Sequence, residues 1–476
     1  VVRLPANEAE PAQFDIVVIG GGPGGYATAL YAAAAGLSVA VVEKDKVGGT
    51  CLHRGCVPAK EFLETATVFR AVEGAKEFGI QASQPVVEFS VSQDRKNQIV
   101  DQLFRGLSGL LKQRKVTVMA GVGRLLAGKL VEVTDAEGTV SVVAGANIVL
   151  AAGSVPRTLP GFEVDGRHVL TSDELLDLRS LPRSVAVIGA GAIGCEFASM
   201  LSDLGVGVTL LEALPKILPG CDQDVANVIV RSFTKRGITV RTGVQVIGHE
   251  PDGDHTSVVF ADGERLEVET ILMSIGRRPL VDGLLAEGTG VELDERGYVR
   301  VDEWMCTAAD GVFAIGDLVA TPQLAHVGFA EAILVVKQIL GERAVPVDYA
   351  KVPWAIYCHP EVAFVGMTEQ AAIDAGLEIV TKRDPFGGNS RARILGETDG
   401  LVKVICEKDP DGKAGRLLGV HMAGPWVTEQ LGQAYLSVNW EATPEEISQF
   451  IQPHPSLSEA FGETVLALTG RGLHVA

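Results

Sequence analysis

The chain has 476 residues, 47% hydrophobic and 21% charged, with 41 Lys and Arg against 60 Asp and Glu for a net charge of -19. That length exceeds one ordinary core and predicts about three or four domains; the acidity argues against a nucleic-acid or anionic-membrane partner, because each needs a basic face. Seven cysteines spread over this length do not make a disulfide scaffold. The start shows no basic region followed by an apolar core and cleavage site, so the cytoplasm is the expected compartment.

The first thirteen residues, with Pro5 and Pro11, read as a loose tail. Ile16 to Ile19 then reads as a strand, Gly20 to Gly25 as a turn, Tyr26 to Ala35 as a small-residue helix and Ser38 to Val42 as a second strand. No charged residue lies between Ile16 and Val42, a run long enough to suggest a membrane span. Its change of period, Pro23 and its glycines make it a strand–turn–helix–strand unit instead.

Gly20-x-Gly22-x-x-Gly25 opens that helix directly after a strand, and Glu43 ends the next strand. Glycines there allow a tight turn and close backbone approach, the helix N-terminus offers N–H donors to a pyrophosphate, and the acid suits a ribose hydroxyl. The unit recurs 169 residues later: Val185 to Ile188 leads into Gly189, Gly191 and Gly194, and Val206 to Leu211 ends at Glu212. In both copies the acid follows the third glycine by 18 positions, so one nucleotide-binding block is used twice. A carboxylate at Glu212 repels a 2′-phosphate, which favours NAD over NADP; nothing basic immediately follows Glu212, and Arg241, further along, is a complication.

Between the copies, Val116 to Val143 alternates in short strand-like pieces, followed by a strand at Ile148 to Leu150. Thr270 to Ile275 runs into Gly276 to Pro279, a domain boundary, and Phe329 to Leu340 reads as a helix. Beyond about Ala350, strands at Val362 to Val365 and Leu401 to Ile405 mix with helices at Thr368 to Ala375 and Glu429 to Val438. The expected fold is α/β, with two Rossmann-like three-layer nucleotide-binding domains and a C-terminal α+β domain. The expected segments are 1–153, 154–276, 277–350 and 351–476.

Cys51 and Cys56 lie in Gly48-Gly49-Thr50-Cys51-Leu52-His53-Arg54-Gly55-Cys56-Val57-Pro58-Ala59-Lys60, shortly after Glu43. In a regular helix, Cα atoms at this spacing are roughly 8.6 Å apart, and a disulfide needs about 4.4–6.8 Å. If the pair bonds, the segment must leave regular helix, and Gly55 and Pro58 make that feasible. Pro58 suits the first turn of a helix running on through Glu61 to Val68, with Cys56 at its N-terminus, where the dipole favours a thiolate. Two buried thiols or a zinc half-site are the alternatives, and no second Cys or His cluster completes a metal site. The other five cysteines, Cys195, Cys221, Cys306, Cys358 and Cys406, are isolated and read as small buried residues.

His454 precedes Pro455-Ser456-Leu457-Ser458-Glu459. Ser456-x-x-Glu459 reads as a capping box opening a helix, while Glu459 is equally placed to orient the imidazole as a base. The residue types alone leave both readings open.

Together these motifs resemble the FAD-dependent pyridine nucleotide–disulfide oxidoreductases, most closely the dihydrolipoamide dehydrogenase branch. The resemblance runs from Phe14 onward and includes the cysteine motif, Phe313-Ala314-Ile315-Gly316-Asp317, Leu324-Ala325-His326 and the His454 segment. It implies FAD at the first fingerprint and NAD at the second. Cys51 would be the interchange thiol and Cys56 its flavin-side partner, with Lys60 and Glu196 paired near the flavin and His454 and Glu459 serving the opposite subunit of a homodimer. Asp317 would bind the ribityl chain and Ile193 would lie where nicotinamide meets flavin. Gly49, Thr50, Lys60, Gly123, Gly153 and Ala325 would contact FAD, and Val244 and Gly276 would contact NAD. The implied activity is oxidation of dihydrolipoyl groups to reduce NAD+, on dihydrolipoamide or the lipoyl domain of a 2-oxoacid dehydrogenase complex, with the C-terminal part as dimerisation domain. His53 and Arg54 depart from the more usual residues, as do Ala59 and Gln452, the last standing where many relatives carry a second histidine.

Overall fold

The computed structural model describes residues 11–474, and most of the expected loose tail lies outside them. The described residues form two compact units, one of residues 11–59, 93–157 and 277–349, the other of residues 60–92, 158–276 and 350–474.

The first unit is built on a seven-stranded sheet. Thr117–Ala120, Val39–Glu43, Ala12–Ile19 and Val140–Leu150 lie parallel in that order, and Val312–Ala314 also pairs parallel with Val140–Leu150. Leu130–Thr134 and Val122–Leu126 extend the sheet antiparallel. The first strand begins at Ala12, earlier than the sequence suggests, because Ala12 to Phe14 pair with Val143 to Gly145. Alternation sends Ile16 and Val18 to a core shared with Ala29, Ala32 and Val335, and Val17 and Ile19 to one shared with Leu125, Val131 and Leu318. With both faces covered, the strand reads as a continuous apolar run. Among the described residues no helix is long and apolar enough to cross a membrane.

Helix Pro23–Ala34 packs on helix Ala325–Ile339, where Gly24 and Gly328 let the backbones approach. The second of these helices begins at Ala325 rather than Phe329, because Leu324 is its N-cap and Gly328 masks the first turn in the sequence.

The second unit holds a five-stranded parallel sheet in the order Thr239–Thr242, Gly207–Glu212, Ser184–Ile188, Thr270–Met273, Val169–Leu170. A three-stranded antiparallel sheet, Val246–Asp252, His255–Phe260 and Arg265–Val268, accompanies it. The C-terminal part is a five-stranded antiparallel sheet covered by helices Val427–Asn439 and Glu459–Leu468 over one shared core. The architecture is therefore α/β, with two parallel-sheet nucleotide domains and an antiparallel α+β C-terminal domain.

Within this unit Lys403 is buried at the meeting of three carboxylates, with Nζ 2.8 Å from Asp222 and Asp224 and 2.5 Å from Glu369. Burial opposes ionisation of Asp222, but Lys403 and the donated N–H groups of Glu369 and Asp224 outweigh it and hold the acid below its usual range.

Candidate active site

The two fingerprints repeat each other at atomic level. Gly20 and Gly189 have φ of +105° and +104°, and a Cβ on them would lie 2.3 Å from the Ala151 oxygen and 2.4 Å from the Ser274 oxygen. A Cβ on Gly25 or Gly194 would strike the first glycine's own carbonyl oxygen, at 1.8 Å and 1.9 Å respectively. The second glycines differ: Gly22 meets only the Gly49 Cα, at 3.9 Å, and Gly191 meets nothing within 4 Å. First and third glycines are thus required by the protein itself, while the second leaves its backbone open to a ligand. Those cradles fit the pyrophosphates of two dinucleotides.

Each acid closes its own turn. Glu43 accepts the N–H of Gly21 at 2.6 Å and of Asp45 at 2.9 Å; Glu212 accepts those of Ala190 at 2.7 Å and Leu214 at 2.9 Å. The Val244 N–H donates to the Glu212 carbonyl at 3.1 Å. Arg241, on the strand beside Glu212, is engaged by Glu264 through two 2.7 Å bonds and stacks over Phe260. Ile193 is the second residue of helix Ala192–Asp203 and half-buried.

The cysteine motif is tied to the first fingerprint. Gly48 donates its N–H to the Gly21 carbonyl at 2.7 Å, and a Cβ on Gly49 would lie 2.6 Å from the Gly22 Cα. Helix Gly49–Arg54 carries Thr50 and Cys51 and stops at Gly55, whose φ of -151° and ψ of -112° are not helical. Cys56 then begins helix Cys56–Gly74. The break falls between the cysteines, where a Cys51–Cys56 disulfide would require it. Cys51 is half-buried and Cys56 exposed.

Two of the departures from the family pattern anchor this loop. His53 sets its Nε2 3.0 Å from the Val47 carbonyl and its ring against Phe104, and Arg54 pairs with Asp45. Ala59 is buried, and Gln452 packs against Gly462 with its amide 3.5 Å from Gln433.

In the second unit Lys60 Nζ lies 2.8 and 2.9 Å from the two oxygens of Glu196 and sits over the Tyr357 ring. The Tyr357 N–H donates to Glu196 at 2.9 Å, so the buried carboxylate is compensated. His454 and Glu459 also meet, Nδ1 to Oε1 at 2.7 Å. The capping box forms only in part: the Ser456 N–H donates to Glu459 Oε2 at 2.7 Å, but the Ser456 hydroxyl bonds Ser458. The helix starts at Glu459 itself, with Ser458 at its N-cap in a right-handed helical conformation and making no side-chain capping bond, so Ser456 lies too far upstream to serve as its cap.

The remaining expected contacts are dispersed. Gly123 packs against Ile19 and Val42, a sheet-packing role for its missing side chain. Gly153, Gly276 and Gly316 adopt φ of +77°, +98° and +67°, each directly before a polar residue, Ser154, Arg277 and Asp317. Asp317 accepts the Ser154 hydroxyl at 2.5 Å, and Ala325 opens its helix. Of the isolated cysteines, Cys195, Cys221, Cys358 and Cys406 are buried, and burial pushes their thiols up; Cys306 is half-buried.

Two site features are additional to the motifs. Burial, with Cys51 and Cys56 nearby, pushes the Tyr26 hydroxyl up to about 12. Glu331, fully buried, accepts the Gly316 N–H at 2.6 Å and the Tyr349 hydroxyl at 2.9 Å beside the Asp317 turn, and burial raises its carboxyl. A lone acid inside the apolar stretch Ala325–Ile339 is the signal that points to it.

Residues 14–332 match the pyridine nucleotide-disulphide oxidoreductase family and residues 352–465 match its dimerisation domain. Dihydrolipoyl dehydrogenase of Bacillus subtilis is 40% identical, covering 97% of this chain and 99% of that protein. The crystal structure of LpdA from Mycobacterium tuberculosis superposes with a TM-score of 0.90 at 28% identity, covering 96% of this chain and 99% of that one. RclA of Escherichia coli, described as an HOCl-induced flavoprotein disulfide reductase, superposes at 0.86 with 27% identity, covering 96% and 99%. With both halves of the family pattern matched almost end to end, the chain belongs to the class I pyridine nucleotide-disulphide oxidoreductases, flavoprotein enzymes that bind FAD and NAD(P).

Proposed function

We propose that the protein oxidises dihydrolipoyl groups and reduces NAD+, as the flavoprotein component of a 2-oxoacid dehydrogenase complex. The observation that carries this reading is the His454–Glu459 pair, in a segment that resembles the acid–base segment of the dihydrolipoamide dehydrogenases. A carboxylate only accepts, so the proton on that side of the ring belongs to Nδ1, and Nε2 is left to take a proton. In the homodimer this pair serves the cysteines of the opposite subunit.

His454 removes a proton from one substrate thiol, and the thiolate attacks Cys51 Sγ of the Cys51–Cys56 disulfide. A substrate–Cys51 disulfide forms and Cys56 leaves as thiolate, at a helix N-terminus that favours negative charge. The second substrate thiol displaces Cys51, giving the cyclic disulfide product and a reduced cysteine pair. Bound FAD and NAD+ supply the acceptors for the two electrons, which restores the Cys51–Cys56 disulfide. Lys60 and Glu196 fix the helix that follows Cys56. Glu212 suits the ribose hydroxyl, and Arg241, on the neighbouring strand, is already committed to Glu264, which favours NAD over NADP. In this reading residues 1–153 and 277–350 hold FAD, 154–276 hold NAD, and 351–476 make the dimer.

The test compares three reactions on FAD-loaded protein: dihydrolipoamide with NAD+, glutathione disulfide with NADH, and a quinone with NADH. The reading predicts that the dihydrolipoamide reaction is fastest and is strongly reduced when NADP+ replaces NAD+. Faster glutathione or quinone turnover would instead identify a related disulfide or quinone reductase.

A further inference from the structure

Ser154, Arg277 and Asp317 come from three distant parts of the sequence and form one hydrogen-bonded chain inside the first unit. Arg277 Nε donates to the Ser154 hydroxyl at 2.7 Å and its Nη2 donates to the Ser154 carbonyl at 2.9 Å. The Ser154 hydroxyl in turn donates to Asp317 Oδ2 at 2.5 Å, with Arg277 Nε 3.8 Å from the same oxygen. Ser154 is buried, and the Arg277 side chain is 12% exposed. The hydroxyl therefore accepts from a cation and donates to an anion, and each bond strengthens the other.

The backbone holds this chain in place. Ser154–Pro156 and Arg277–Pro279 pair antiparallel with Ser154 opposite Pro279, and the Leu280 N–H donates to the Gly153 carbonyl at 2.9 Å. These are the stretches by which the chain leaves the first unit, after residue 157, and rejoins it, at residue 277. All three polar residues follow a glycine in the left-handed region, with nothing within 4 Å of a Cβ, so dihedral freedom alone requires those glycines.

We propose that Arg277 is a positioning residue of the flavin site: acting through Ser154, it fixes the Asp317 carboxylate, and so links FAD retention to the paired strands at 154–156 and 277–279. This rests on reading Asp317 as a ligand of the FAD ribityl chain, and is independent of which dithiol the enzyme oxidises. Without the guanidinium, the serine hydroxyl loses its donor and the Asp317 carboxylate loses its nearby cation. A hydrogen bond involving a charged group is worth enough to change FAD retention by about ten- to a hundredfold.

The test follows FAD release from diluted holoenzyme by flavin fluorescence in Asp317→Asn, Arg277→Gln, Ser154→Ala and Ser154→Thr. The expected result is release about ten- to a hundredfold faster in the first three, near wild-type release in Ser154→Thr, and an Arg277→Gln/Ser154→Ala double variant no faster than the worse single one. Ser154→Ala removes one hydroxyl, so it reports even if Arg277→Gln fails to fold. Fast release in Asp317→Asn with wild-type release in Ser154→Ala and in any folded Arg277→Gln would overturn this inference alone. Wild-type release in Asp317→Asn would overturn the flavin-site reading with it.

Discussion

Glu459 binds His454 and Ser456 at once, Oε1 to the imidazole Nδ1 and Oε2 to the backbone N–H, each at 2.7 Å. Ser456 does not cap the helix, yet its backbone N–H fixes the carboxylate that meets the ring. A Glu459→Gln variant keeps an acceptor for Ser456 but turns an amide N–H toward Nδ1. The ring must then accept there, and Nε2 carries the proton it should receive. Dihydrolipoamide turnover is expected to fall by at least about a hundredfold, with FAD content unchanged, by steady-state kinetics and flavin absorbance.

The homodimer claim makes a counting prediction. If each site uses Cys51 of one subunit and His454 of the other, a Cys51→Ser/His454→Ala heterodimer has one intact site and one doubly impaired site. Mixing the two inactive homodimers under conditions of subunit exchange should restore about a quarter of wild-type turnover. No recovery after exchange, verified by tagged-subunit capture, would place both residues in the same subunit's site.

The open second glycine separates binding from folding. Gly191→Ala places a methyl where nothing lies within 4 Å, so thermal stability should hold while KM for NAD+ rises. Gly189→Ala should destabilise the fold, because its Cβ would sit 2.4 Å from the Ser274 oxygen at φ +104°. Melting temperature and NAD+ kinetics on both variants check this contrast.

Burial holds His421 down at about 4 and, with Arg70 and Arg236 adding to it, His359 at about 3. Unfolded, both titrate near about 6.5, so below that pH the unfolded chain binds more protons. Their contribution to stability is complete above about pH 7 and is lost as pH falls from about 6.5 toward the folded values. Urea denaturation at pH 7 and pH 4.5 should show His421→Asn losing less stability over that range than wild type, by on the order of 2 kcal/mol. Equal losses would contradict the buried neutral imidazole.

What was legible in the sequence is what local physics controls. A first glycine needs positive φ, a third glycine needs room for the turn's carbonyl, and an acid at a strand end has donors within reach; all three constraints lie within about two dozen residues of each other, so both fingerprints can be read directly. The helix break between Cys51 and Cys56 follows from bond length and helix rise once the two cysteines are taken to bond. Helix Phe89–Gln113 carries no comparable mark: its apolar contacts are spaced at Phe104, Leu107 and Leu111, and its first turns bury Ser92, Gln93 and Lys96. The Arg277–Ser154–Asp317 chain spans 163 positions and exists only once the sheet has been assembled. Its members are an ordinary serine, arginine and aspartate until topology brings them together.

The most direct test of the central claim is the rate of dihydrolipoamide oxidation by NAD+ in FAD-loaded wild-type and Cys56→Ser protein, alongside NADH-to-dye turnover. The account predicts a loss on the order of a thousandfold or more in dithiol oxidation, with dye reduction retained because FAD and NAD binding do not involve the thiol. Full dithiol oxidation by Cys56→Ser would contradict it.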